Sequence, residues 1–126
     1  MKINRVDHLV LTVSDIARTL KFYTEILNME EVDFDGRKAL KFGDQKINLQ
    51  QKDKTIDPKA KVPTPGSADF CLISDTELKD VIKELQAKNI TTITGPVERT
   101  GASGKILSLY LRDPDDNLIE ISNYLP

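Results

Sequence analysis

A single histidine, His8, and a single cysteine, Cys71, bound the chemistry open to this chain. One cysteine excludes an intrachain disulfide and a cysteine-pair zinc site. One histidine excludes any site that needs two imidazoles from one polypeptide, including the His-Glu-x-x-His zinc motif and the two-histidine, one-carboxylate triad of non-haem iron oxygenases. A metal here must lean on carboxylates. Cys71 has no further histidine to activate it and reads as a small core residue rather than a nucleophile. Gly104-Lys105 fails as a phosphate loop, because Ile106 stands where Ser or Thr is needed and Arg99 where Gly is needed.

The elements that must position these residues follow from periodicity. Val6 to Val13 alternates and reads as a strand, with Leu9, Leu11 and Val13 on one side and His8, Val10 and Thr12 on the other. Ser14 and Asp15 are N-cap candidates for a helix carrying Ile16, Leu20, Tyr23 and Leu27, with Asn28 near its end. Glu30–Phe34, Lys38–Phe42 and Lys46–Gln50 read as strands, turned at Asp35-Gly36 and Gly43-Asp44. Lys52 to Gly66 is charged, proline-bearing and aperiodic, a linker or lid.

The second half repeats the order. Ala68–Ile73 is a strand, and Ser74-Asp75-Thr76-Glu77 has the form of a capping box for a helix with Leu78, Val81, Ile82 and Leu85. Asn89 ends that helix, and Ile90–Thr94, Ile106–Arg112 and Leu118–Asn123 read as strands. Gly95 to Lys105 reads as a flexible Gly-rich connection. It carries Arg99, either a solvated side chain or an anchor that closes over an anion. The fold class is therefore α+β: two βαβββ modules, 5–51 and 67–124, joined by linker 52–66, with a curved mixed sheet around a cleft.

Polar residues fall on one side of these strands. His8, Asn48, Asp69 and Glu120 each sit opposite an apolar set, with Val10, Ile73 and Leu118 on their own side. Such a mixed surface suits a small-molecule pocket better than a solvated face, which would carry more Lys. Tyr110 shares a side with Ser108, as a pocket wall or a structural tyrosine. About a pseudo-twofold axis, His8 matches Asp69 and Asn48 matches Glu120. His8, Asp69 and Glu120 would then offer a divalent ion one nitrogen and two carboxylates. Spacing supports equally a buried His8 paired with a carboxylate.

The 126 residues suit one domain, and 18 Lys plus Arg against 20 Asp plus Glu give a net charge of −2. That balance argues against nucleic-acid binding. No apolar run approaches a membrane span, and Met1-Lys2-Ile3-Asn4 begins no signal peptide, so the expected location is the cytoplasm.

Three segments carry a family resemblance: Val6-Asp7-His8-Leu9-Val10-Leu11-Thr12-Val13, Phe22-Tyr23-Thr24-Glu25-Ile26-Leu27-Asn28-Met29 and Arg112-Asp113-Pro114-Asp115-Asp116-Asn117-Leu118-Ile119-Glu120. Together the chain resembles the vicinal oxygen chelate superfamily, which includes glyoxalase I, bleomycin-resistance proteins, fosfomycin-resistance enzymes and extradiol dioxygenases. It is most similar to small glyoxalase-domain proteins, some of which carry virulence-associated labels. The resemblance implies a metal (Zn, Ni, Mn or Fe) on His8, Asp69 and Glu120, with Glu120 as base. Asn48, Arg99 and Tyr110 would contact the substrate, and the chain would pair as a homodimer. The implied activity is that of a lyase or isomerase, or a dioxygenase-like enzyme, on a small oxygenated carbonyl compound. The alternative is a non-catalytic small-molecule binder of bleomycin-resistance type. Asn48 stands where glyoxalase I has a second glutamate, and it cannot take a proton, which implies little lactoylglutathione lyase turnover. Asp69 stands where many members have histidine. Asp116 replaces the usual turn glycine, a position that Asp tolerates at positive φ.

Overall fold

Apolar residues at every second position, broken by Asp-Gly and Asn turns, set the strands, and a computed structural model describes all residues 1–126. The first compact unit, Met1–Ser67, holds β1 (His8–Val13), α1 (Ile16–Glu25), β2 (Glu30–Phe34), β3 (Arg37–Phe42) and β4 (Gln45–Gln51). The second, Ala68–Pro126, holds β5 (Asp69–Ile73), α2 (Leu78–Ala87), β6 (Thr94–Thr100), β7 (Lys105–Arg112) and β8 (Leu118–Tyr124). Each unit is one four-stranded mixed sheet, ordered β1-β4-β3-β2 and β5-β8-β7-β6. In each, the first and last strands pair in parallel and the others antiparallel. The expected α+β class, with the βαβββ order twice, is the observed one.

One side of each sheet is sealed by its helix. Leu11, Val13, Leu40, Ile47 and Leu49 are buried with Leu20 and Tyr23 of α1; Leu109, Leu111, Ile119 and Ile121 with Leu78, Val81 and Leu85 of α2. Each such side chain contributes about 1.5–3 kcal/mol by leaving water. Both helices end at an asparagine in the left-handed region, Asn28 and Asn89, each with φ 58°.

The helix starts are more instructive. Asp15 caps α1 by accepting from the Arg18 amide at 3.1 Å, and Gln51 Oε1, from the end of β4, accepts from the Ile16 amide at 3.1 Å. α2 corrects the expected capping box. Glu77 makes no side-chain cap, and the Ser74 hydroxyl accepts instead from the Thr76 amide at 3.0 Å. Asn123, at the end of β8, takes the capping role: its Oδ1 accepts from the Leu78 amide at 2.6 Å while its Nδ2 donates to the Ser74 and Thr76 carbonyls at 3.1 and 3.0 Å. An amide can serve donors and acceptors together, so one side chain does the work expected of two.

The second strand of the second unit is also displaced from its expected place. Residues 90–93 are irregular, and β6 runs through Thr94–Thr100, across Gly95-Pro96. A Gly-Pro pair signals a loop, yet β6 lies at a sheet edge with a bulge between Thr94 and Val97, where a missing N–H is tolerated. Gly95 is required there, because a Cβ would come within 2.6 Å of Leu109 Cα and of the Ser108 carbonyl oxygen, at φ +118°. Other expected strands differ at their ends by one or two residues. β1 begins at His8 rather than Val6.

The Asp113–Asn117 turn explains the terminal motif. Asp113, 5% exposed, accepts from the amides of Asp115 and Asn117 and from Asn117 Nδ2, while fully buried Asn117 accepts from the Ala68 amide. The motif therefore ties the start of β5 to the β7–β8 turn. Asp116 adopts φ 66°, the conformation expected of it.

Gly95→Ala is expected to destabilise the protein by about 2 kcal/mol or more, read as a lowered urea midpoint. Asn123→Ala removes the α2 cap and is expected to cost about 1–2 kcal/mol in the same assay. A midpoint unchanged in either variant would contradict the role given to that residue.

Candidate functional site

The helix-free side of each sheet carries the residues singled out from sequence. Across the second unit, register places Asp69, Cys71 and Ile73 of β5 beside Leu118, Glu120 and Ser122 of β8, then Ser108 and Tyr110 of β7, then Val97 and Arg99 of β6. Glu120 lies at the centre, in register with Cys71 on one flank and Tyr110 on the other. Its Oε2 accepts from Ser108 Oγ at 2.6 Å and from Ser122 Oγ at 3.3 Å. The two hydroxyls, on fully buried residues, are themselves 2.6 Å apart. This pair holds the carboxylate in one orientation. Both serines are two residues away from a neighbour on the same side, so period two placed them beside Glu120. Nothing in their type announced that they would hold it.

Arg99 belongs to β6 and not to a flexible connection, which corrects the expectation of a mobile arm. Its Nε donates to the Tyr110 hydroxyl at 3.1 Å, and its guanidinium carbon lies 5.7 Å from that ring's centroid. Strand pairing and this contact fix an exposed cation next to Glu120's neighbour. Asp69 opens β5, exposed, opposite Leu118 and diagonal to Glu120.

Cys71 is exposed on the same side, a second correction to the sequence expectation of a core residue. Its thiol lies 3.3 Å from Ser122 Oγ. Partial burial of the sulfur pushes its pKa up; the Ser122 contact pulls it down, and the negative charge of Glu120 adds to the upward push. The sulfur is thereby kept as a thiol at neutral pH.

In the first unit the matching positions are His8 and Asn48. Val10 is in register with Asn48 as Cys71 is with Glu120, so His8 stands to Asn48 as Asp69 stands to Glu120. His8 is exposed, not buried, and its Nδ1 lies 2.8 Å from Asp7 Oδ2. That hydrogen bond is the main reason Asp7 is more acidic than usual; slight desolvation opposes it, and the charges of His8, Arg5 and Lys46 add to it. An ionised carboxylate only accepts, so Nδ1 donates, and Nε2 is the ring nitrogen left for another partner. Asn48 is 5% exposed, and its Oδ1 has no hydrogen-bond partner. No group of three or more His, Cys, Asp or Glu side chains in the chain is placed to hold a metal ion.

Two four-stranded mixed sheets, each closed first strand to last, with a polar helix-free side, define a class of protein. The chain matches the Glyoxalase/Bleomycin resistance protein/Dioxygenase superfamily over residues 5–121 and belongs to it. It is 57% identical to Virulence protein STM3117 of Salmonella typhimurium over 99% of this chain and 88% of that protein. The crystal structure of that relative superposes with a TM-score of 0.98, covering 99% of this chain and 100% of that one. Glyoxalase domain-containing protein RDO1 of Mycosarcoma maydis is 53% identical over 98% of this chain and 70% of its own length. At 20% identity the fold alone is shared with lactoylglutathione lyase from Agrobacterium tumefaciens, which covers 98% of this chain and 96% of its own at a TM-score of 0.75. The same holds for TnmS3, an antibiotic binding protein from a Streptomyces species, at 20% identity, 99% and 98% coverage and a TM-score of 0.75.

With its thiolate disfavoured, Cys71 is expected to react with iodoacetamide at neutral pH more slowly than a free cysteine. The rate should rise with pH through a midpoint above that of an ordinary thiol. Reaction as fast as free cysteine at pH 7 would show that the protonated state has been misassigned.

Proposed function

We propose that this chain is a metal-dependent lyase or isomerase acting on a small oxygenated carbonyl compound in the cytoplasm. His8, Asp69 and Glu120 hold the ion, and Glu120 moves the substrate proton. The observation that carries the proposal is the shared register, which gives His8 and Asp69, and Asn48 and Glu120, equivalent places in two equivalent sheets. The donors suit a borderline divalent ion: one imidazole nitrogen and two carboxylates, with His8 Nδ1 held by Asp7 as ligand histidines are commonly held by a carboxylate. A bound ion supplies polarisation of the carbonyl oxygens. The protein's own share is positional. Ser108 and Ser122 orient the Glu120 carboxylate, and Arg99, steadied by Tyr110, offers a charge to an anionic part of the substrate.

The proposal includes a homodimer, in which His8 of one protomer serves with Asp69 and Glu120 of its partner. The second candidate is a binder without chemistry. Asn48 favours it, since an amide at the place equivalent to Glu120 removes one of two acid–base positions.

Elemental analysis of untagged protein is expected to find stoichiometric divalent metal, lost in His8→Ala and in Glu120→Ala. Mixing those two variants through unfolding and refolding should restore metal to about a quarter of the sites, because half the dimers are mixed and each mixed dimer keeps one intact site. No restoration would confine the ligands to one chain. Folded wild-type protein that binds no added metal would leave the binder.

A further inference from the structure

Residues 1–7 precede β1 as an exposed segment in neither helix nor strand. Its root is fixed, because Gln45 Nε2 donates to the Val6 carbonyl oxygen at 2.6 Å. Beyond that root Met1 and Ile3 stand in solvent, at 114% and 77% exposure. Lys2 and Arg5 are the charged residues of positions 1–6, and Arg5 reaches Asp44 only at 4.0 Å, with both side chains exposed. The segment is thus a basic arm with apolar side chains in water. Apolar side chains grouped in this way mark a contact site.

The second unit carries a groove of about 660 Å³ on the α2 side of its sheet, where β5 and β8 end. Leu78, Leu107, Tyr124 and Leu125 line it, with Asp75 and Glu77 at the start of α2; Tyr124 and Leu125 are exposed. Glu77 is held by Lys79 at 3.3 Å. Asp75, and Glu98 in register with Leu107, enter no ion pair. An apolar floor beside two unneutralised carboxylates is complementary to an apolar arm with two cations.

The homodimer proposed above brings these two features together. His8 and Asp69 hold equivalent places in equivalent sheets, and a shared ion requires both sheets to present their helix-free sides to it. A twofold relation of that kind runs β1 of one protomer and β5 of the other in opposite directions. Five residues back from His8 is Ile3, and five residues on from Asp69 is Ser74, which lines the groove. Seven extended residues span about 23 Å, enough to enter it. We infer that residues 1–6 of one copy lie in this groove of a second copy. Met1 and Ile3 pack on Leu107, Tyr124 and Leu125, and Lys2 and Arg5 face Asp75 and Glu98. The inference rests on the homodimer of the metal proposal, but the contact itself needs no metal.

The test uses full-length protein in which isotope-labelled and unlabelled copies are mixed by unfolding and refolding. Isotope-filtered NMR should show nuclear Overhauser contacts from the Ile3 methyls of one copy to Leu107 or Leu125 of the other. Ile3→Asp, on an exposed arm where the fold is not at stake, should weaken dimerisation about tenfold by sedimentation equilibrium. Lys2→Glu with Arg5→Glu should weaken it to a similar degree, and adding Asp75→Lys with Glu98→Lys should restore it. A monomeric protein, an arm that contacts the groove of its own copy, or unchanged dimerisation in Ile3→Asp would each overturn the inference. So would a charge reversal that the second pair fails to rescue. A dimer with these contacts that takes up no metal upholds the inference and removes the metal proposal. A metal-loaded dimer without them does the opposite.

Discussion

Each unit depends on one parallel pairing, β1 with β4 and β5 with β8. Parallel neighbours cannot be joined by a tight turn, so the intervening helix and two antiparallel strands are the crossover that makes the pairing possible. The pairing also decides which distant residues meet. His8 comes near Asn48, and Asp69 near Glu120, because a register shared by two strands far apart in sequence places them so. A slip of one residue would turn every polar group of the strand toward the helix and every apolar group toward water. The buried apolar sets, Ile47 with Leu49 and Ile119 with Ile121, are what forbid that slip.

Much of this was legible in the sequence because period two is a strong signal where one side of a strand is buried. The equivalence of His8 with Asp69 follows from it, while both helices follow from their 3.6-residue spacing and the two turns of the first unit from Asp35-Gly36 and Gly43-Asp44. What escaped has definite physical causes. β6 was hidden by Gly95-Pro96, a pair that speaks for a loop unless an edge and a bulge absorb it. The capping box at Ser74 was a local pattern overruled by a side chain almost fifty positions away, Asn123. Arg37 and Lys46 drew no attention, because a cation on a short strand looks solvated until its aromatic neighbour is known.

The two helix-free surfaces share a frame and differ in chemistry. The second unit presents a carboxylate held by buried hydroxyls, flanked by a thiol, a tyrosine and an arginine. The first presents an imidazole steadied by Asp7, a buried amide and two cations over a phenyl ring. Duplication supplies the geometry twice, and substitution at equivalent places divides the labour. Membership in the superfamily is shown by the sequence match over residues 5–121, with which the frame agrees.

Gln51 and Asn123 close the last strand of their units and cap the helix that precedes it, from equivalent positions. α1 keeps its own cap in Asp15, whereas α2 has no local side-chain cap and relies on β8 to complete its first turn. Opening of β8 at its carboxyl end would therefore fray α2 as well, and the two should exchange their amide hydrogens as a single cooperative block. A helix made to wait for the strand that follows it suppresses half-built states, in which an unsealed apolar sheet would be open to aggregation.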